Sequence, residues 1–161
     1  MGSWLNSDGL YIKYGPTETV TSKAGEYADA NYYGSDHFVE IDFSYSDLSA
    51  FGTNTIMSDT VVIPGGARIT KTEIYVHTAF TSSGSATLTY GLIRTDRSTE
   101  LDYDGFDATI AKGSLTLGAT VAGDGALVNT TLANDGLLTV TAGTANFDTG
   151  RGKIRIFWYM P

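Results

Sequence analysis

Cysteine is absent from these 161 residues, so neither disulfides nor thiolate metal sites can hold the chain together. Charge is scarce: Asp, Glu, Lys and Arg make up only 17% of the residues. Histidine occurs twice, as His37 and His77. With no cysteine and no G-x-S-x-G elbow, nothing recommends either for a zinc site or for Ser-His-Asp chemistry. No run of about 18 apolar residues exists to make a membrane-spanning helix. The opening MGSWLNSDG has no basic stretch followed by an apolar core, so no secretory leader is expected. Pro64-Gly65-Gly66-Ala67 lacks the G-K-[ST] ending of a phosphate loop. What is present in quantity is glycine, 19 residues, and tyrosine, 10 residues. Together with abundant threonine, this is the composition of one ordered, turn-rich, all-β domain.

The net charge of −8 is unevenly spread. Residues 1–60 carry Lys13 and Lys23 against nine acids, whereas residues 61–161 carry eight basic residues against nine acids. An acidic chain repels a phosphate backbone, so nucleic acid is excluded as a direct partner. The acidic front segment is either a solvated face or one suited to a basic surface on another subunit.

Hydrophobic alternation organises the chain around Val61–Arg94. Thr72, Ile74, Val76, Thr78 and Phe80 share one face of a strand, and Glu73, Tyr75, His77 and Ala79 the other. A second alternating run puts Ala86, Leu88, Tyr90 and Leu92 on one face. Five small residues, Thr81–Ser85, join the two, which predicts an antiparallel hairpin at the centre of a sheet. Pro64-Gly65-Gly66 marks the strand break before it. Phe38–Tyr45 and Lys153–Met160 also alternate, the latter with Lys153, Arg155, Phe157 and Tyr159 outward. Asp104 as a cap, Phe106 and Ile110 four residues apart and Gly113 as a stop predict a short helix near Asp104–Ala111. Gly15–His37 shows no clear element, which marks an arm, a binding loop or a flexible segment. The expected fold is an antiparallel, jelly-roll-like β-sandwich with one short helical insertion. The expected division is an N-terminal arm, residues 1–37, and a sandwich domain, residues 38–161.

Candidate chemistry is thin. Asp102, Asp104 and Asp107, with Glu100, superficially match a calcium loop, but the glycine comes too early and no closing carboxylate follows. They are weak metal candidates against a reading as capping and solvated residues, and no cofactor is expected. Arg94, Asp96 and Arg97 beside them read as an ion-paired junction. Trp4, Leu10, Tyr11, Ile12 and Tyr14 need a surface to bury against, either their own sheet or a neighbouring subunit.

Several segments resemble a group of small tailed-phage virion proteins. They are the opening W-L-N-x-D-G-L-Y-I-K-Y-G at Trp4–Gly15, the strand break Ile63–Ile69 and the turn Thr78-Ala79-Phe80. The run Gly91–Tyr103, the late T-L-A-N-x-G at Thr131–Gly136 and an aromatic terminal strand complete the set. The group is similar to head-associated proteins of marine, cyanophage-type and other podovirus-like phages, of the capsid decoration or cement type. The resemblance implies a non-enzymatic virion protein, made in the host cytoplasm and placed on the capsid surface. Its implied partners are the major capsid protein and other copies of itself, a trimer being one expected form. Trp4, Leu10, Tyr11, Ile12 and Tyr14 would then be interface residues. The competing expectation is a tail or fibre module that recognises host glycans through exposed aromatics.

Overall fold

The computed structural model describes the backbone of Gly2–Leu5 and Tyr11–Tyr14 and all of residues 37–58 and 60–161. The chain divides into two compact units, residues 1–35 and 36–161. In the first, β1 (Gly2–Leu5) pairs antiparallel with β2 (Tyr11–Tyr14), setting Trp4 opposite Ile12 and Leu5 opposite Tyr11. The side chains of Trp4, Tyr11, Ile12 and Tyr14, all of Leu10, and the Gly15–Asp36 stretch lie outside the described residues.

The second unit is a sandwich of two antiparallel sheets. Its strands are β3 (His37–Ser44), β4 (Thr55–Ile56), β5 (Val62–Ile63), β6 (Arg68–Thr81), β7 (Thr87–Arg94), β8 (Glu100–Ala111), β9 (Thr120–Ala122), β10 (Gly136–Gly143) and β11 (Thr149–Tyr159). One sheet has the order β3-β11-β6-β9. The other runs β4-β10-β7-β8, with β5 also paired to β10. The sheets meet through the stripes that alternation marks as apolar. Ile41, Phe43, Ile74, Val76, Ile154 and Ile156 of the first face Leu88, Tyr90, Leu92, Leu138 and Val140 of the second, all of them buried. Each such side chain contributes roughly 1.5–3 kcal/mol through lost water contact.

The predicted hairpin between β6 and β7 does not form. β6 is flanked by β11 and β9, while β7 is flanked by β10 and β8 in the opposite sheet. Alternation records which face of a strand is buried, not which strand lies beside it. Here the two apolar stripes face each other across the core, and residues 82–86 turn the corner between layers. The Lys112 ammonium group donates to the carbonyls of Ser82 (2.8 Å) and Gly84 (2.5 Å) and fixes that corner. Deep between the layers, the hydroxyls of Thr72 and Tyr90 lie 3.0 Å apart, and burial raises the Tyr90 phenol above its ordinary range.

The predicted helix near Asp104–Ala111 is instead part of strand β8. Phe106 and Ile110 are both buried, as the i,i+4 spacing anticipated. An interval of four, however, also returns a strand to the same face, so it could not separate the two periods. Among the described residues the only helical pieces are single 3-10 turns at Tyr45–Asp47 and Lys112–Ser114. The first carries Tyr45 out of the inward row expected for it and leaves it 43% exposed.

Candidate interaction surface

The outer faces of the two sheets are built differently. In the β10–β7 sheet, outward-facing Ile93, Leu137 and Thr139 are themselves buried. Beside β7 runs β8, whose pairing jumps from Tyr90↔Asp107 to Leu92↔Asp102 through a bulge. The bulge lays Asp102 and Tyr103 over Gly91. A Cβ at Gly91 would collide with the Asp102 carbonyl oxygen and come within 2.6 Å of the Tyr103 carbonyl carbon. Glycine is therefore the residue this close approach requires.

Among the described residues the β3–β11–β6 face carries no such cover. Register places Phe38, Phe157 and Lys71 in one row, Glu40, Arg155 and Glu73 in the next, and Asp42, Lys153 and Tyr75 in a third. Arg155 is the hub: its Nε donates to Glu40 at 2.7 Å and its Nη1 to Glu73 at 3.4 Å. Lys153 also pairs with Glu40, and Lys71 with Glu73 at 2.5 Å. The Lys71 contact, followed by Arg155, holds the Glu73 carboxyl below its usual range against the opposing effect of burial. Lys153, then Arg155, does the same for Glu40. Rings are woven into this lattice. Phe38 stacks on Phe157 at 5.8 Å, Arg155 lies over Tyr75 at 5.7 Å, and Lys71 lies over Phe157 at 5.6 Å. Phe38 remains 64% exposed. At the far end a groove of about 380 Å³ is lined by Asp42, His77, Thr78, Arg151 and Lys153.

The remaining predicted site residues do not assemble into a centre. Asp102, Asp104 and Asp107 lie along β8, and no group of three metal-ligating side chains occurs among the described residues. Burial raises the Asp102 carboxyl, and a hydrogen bond with Asp104 adds to it. Burial likewise raises Asp107, whose Oδ1 accepts from the Thr109 N–H at 3.0 Å. Asp96 does not pair with the neighbouring arginines as its main contact. It accepts from the N–H groups of Ser98 and Thr99 and from the Thr99 hydroxyl, which drives its pKa down and shapes the β7–β8 turn. His77 lies on the outer face, edge-on to Tyr75 at 4.9 Å, and His37 stacks on Trp158 at 5.9 Å.

Nothing in the sequence singled out Glu40, Glu73 and Arg155 as a unit. Its signal was the outward set Lys153, Arg155, Phe157 on the terminal strand; what it lacked was the knowledge that β11 lies between β3 and β6.

No protein-family model matches the chain, and no curated protein matches it in sequence. Solved structures do share its fold. A chain of the cyanophage Pam1 capsid asymmetric unit aligns over 97% of this chain and 97% of its own, with TM-score 0.57 and 9% identity. A chain of the acidic stable capsid of Helicobacter pylori bacteriophage KHP30 aligns over 78% and 88%, with TM-score 0.54 and 14% identity. One from the capsid of Ralstonia phage GP4 aligns over 80% and 86%, again with TM-score 0.54 and 14% identity. At such identities the likeness is one of fold.

Proposed function

We propose that this chain is a non-enzymatic structural protein of a phage virion: a capsid decoration protein that binds the major capsid lattice and stabilises the head. The observation that carries the reading is the full-length likeness to a chain of a phage capsid asymmetric unit, which spans 97% of both partners. The uncovered sheet face is consistent with it. A flat, ion-paired surface with exposed aromatic rings suits docking against protein better than turnover of a small molecule. Residues 1–37 act as an arm, with Trp4, Leu10, Tyr11, Ile12 and Tyr14 docking on a capsid subunit, and residues 38–161 form the body. Stabilisation then comes from apolar area removed from water at about 25 cal/mol per Å², repeated at every occupied lattice position.

Deleting residues 1–15 tests the reading. The sandwich is expected to keep its thermal transition while co-sedimentation with capsid shells is lost; retained binding refutes the role of the arm. Glycan recognition by exposed aromatics is the weaker reading, because the flat faces of Tyr75 and Phe157 already lie under Arg155 and Lys71. Binding on a glycan array together with failure to co-sediment with heads would favour it.

A further inference from the structure

The uncovered face has an opposite elsewhere in the same molecule. It carries four cations, Lys71, Arg151, Lys153 and Arg155, against three carboxylates, Glu40, Asp42 and Glu73. In a chain of net charge −8 this is the cation-rich region. Within it Arg151 is exposed and makes no ion pair among the described residues, and it opens into the groove with His77 and Lys153 opposite Asp42. The edge strand of the other sheet, β8, carries Glu100, Asp102, Asp104 and Asp107 with no Lys or Arg between them. Glu100 and Asp104 are exposed there.

We propose that copies of this chain associate head to tail, the Arg151–Lys153–His77 groove of one receiving the acidic β8 edge around Glu100 and Asp104 of the next. Charge complementarity selects the occupant: the acidic strand repels its own kind and finds cations on the neighbour's opposite sheet. The geometry also selects the symmetry class. A twofold dimer needs both halves of the contact on one self-complementary patch, whereas here they belong to different sheets. A contact of that kind repeats in one direction, giving a ring where the rotation closes and an open filament where it does not. The interface is distinct from the N-terminal arm, so it can form before any capsid is met.

Charge exchange on the full-length protein, free of capsids, tests this by light scattering across a salt series. The wild type is expected to form oligomers in low salt that dissociate as salt rises. Arg151→Glu with Lys153→Glu, and separately Glu100→Lys with Asp104→Lys, should each weaken association by about tenfold or more. Combining all four substitutions in one chain, or mixing the two double variants, should restore it. Circular dichroism of each variant checks that the sandwich is intact; should the Lys153 change unfold it, Arg151→Glu alone carries the test. A wild type that stays monomeric in low salt overturns the proposal, as do oligomers that neither double variant shifts. Oligomers that both double variants weaken but that the exchanged pair does not restore also overturn it, because the two patches then do not meet each other.

Discussion

The two sheets are matched in their inner faces and opposed in their outer ones. Both present β-branched and aromatic side chains to a shared core. Outside, Ile93, Leu137 and Thr139 of the β10–β7 sheet are buried, and β8 folds Asp102 and Tyr103 over Gly91. Among the described residues the β3–β11–β6 sheet is left open, with Glu40, Arg155 and Glu73 paired across three strands. The difference teaches what each side can offer: an acidic strand edge on the one, and a paired-charge face with exposed rings on the other.

The contrast can be broken most severely at Gly91. Changing Gly91→Ala should cost about 3 kcal/mol or more in urea denaturation, since the colliding groups are backbone and cannot rotate away. On the open sheet, Arg155→Met should cost about 2 kcal/mol, measured the same way, because the buried Glu73 keeps only Lys71 as a partner. Acid should then separate the faces by sign. Glu40 and Glu73 are held below the usual carboxylate range, so their stabilising contribution is present above it and is lost as pH falls through their lowered values. Asp107 is raised, so its charged form weakens the fold as pH climbs through its folded value. Asp107→Asn should accordingly raise the thermal midpoint at pH 7, with the gain fading as pH falls through the ordinary carboxylate range. The smallest effect is expected for Arg151→Ala, within about 0.5 kcal/mol by thermal melting, since that side chain is exposed and makes no ion pair among the described residues.

Much of the fold was legible because half-buried strands announce themselves through alternation. Ile74, Val76, Leu88, Leu92, Ile154 and Ile156 are all inward as read. Pro64-Gly65-Gly66 does break the chain between β5 and β6, with Gly66 at φ +87° and the Gly65 N–H bonded to Asp135 at 2.7 Å. Pairing was not legible, since a period of two is silent about neighbours; hence the β6–β7 hairpin that proved to be a crossing. The bulge in β8 breaks alternation, which is why Asp104–Ala111 read as a helix and Glu100, Asp102, Asp104 and Asp107 as an acid cluster. The open face was half visible: each strand's outward residues were readable, but their assembly into one lattice depends on contacts more than eighty residues apart, such as Arg155 with Glu73 and Glu40.

Strand β11 has a consequence for how this protein is made. It lies between β3 and β6, and its register joins residues 37–44 to 151–158. Until that strand has left the ribosome, β3 has no partner in its sheet and β6 lacks its longest one. The β3-β11-β6-β9 layer therefore closes late, after the strands of the β4-β10-β7-β8 layer have already emerged, because its β11 follows all of its neighbours in the chain.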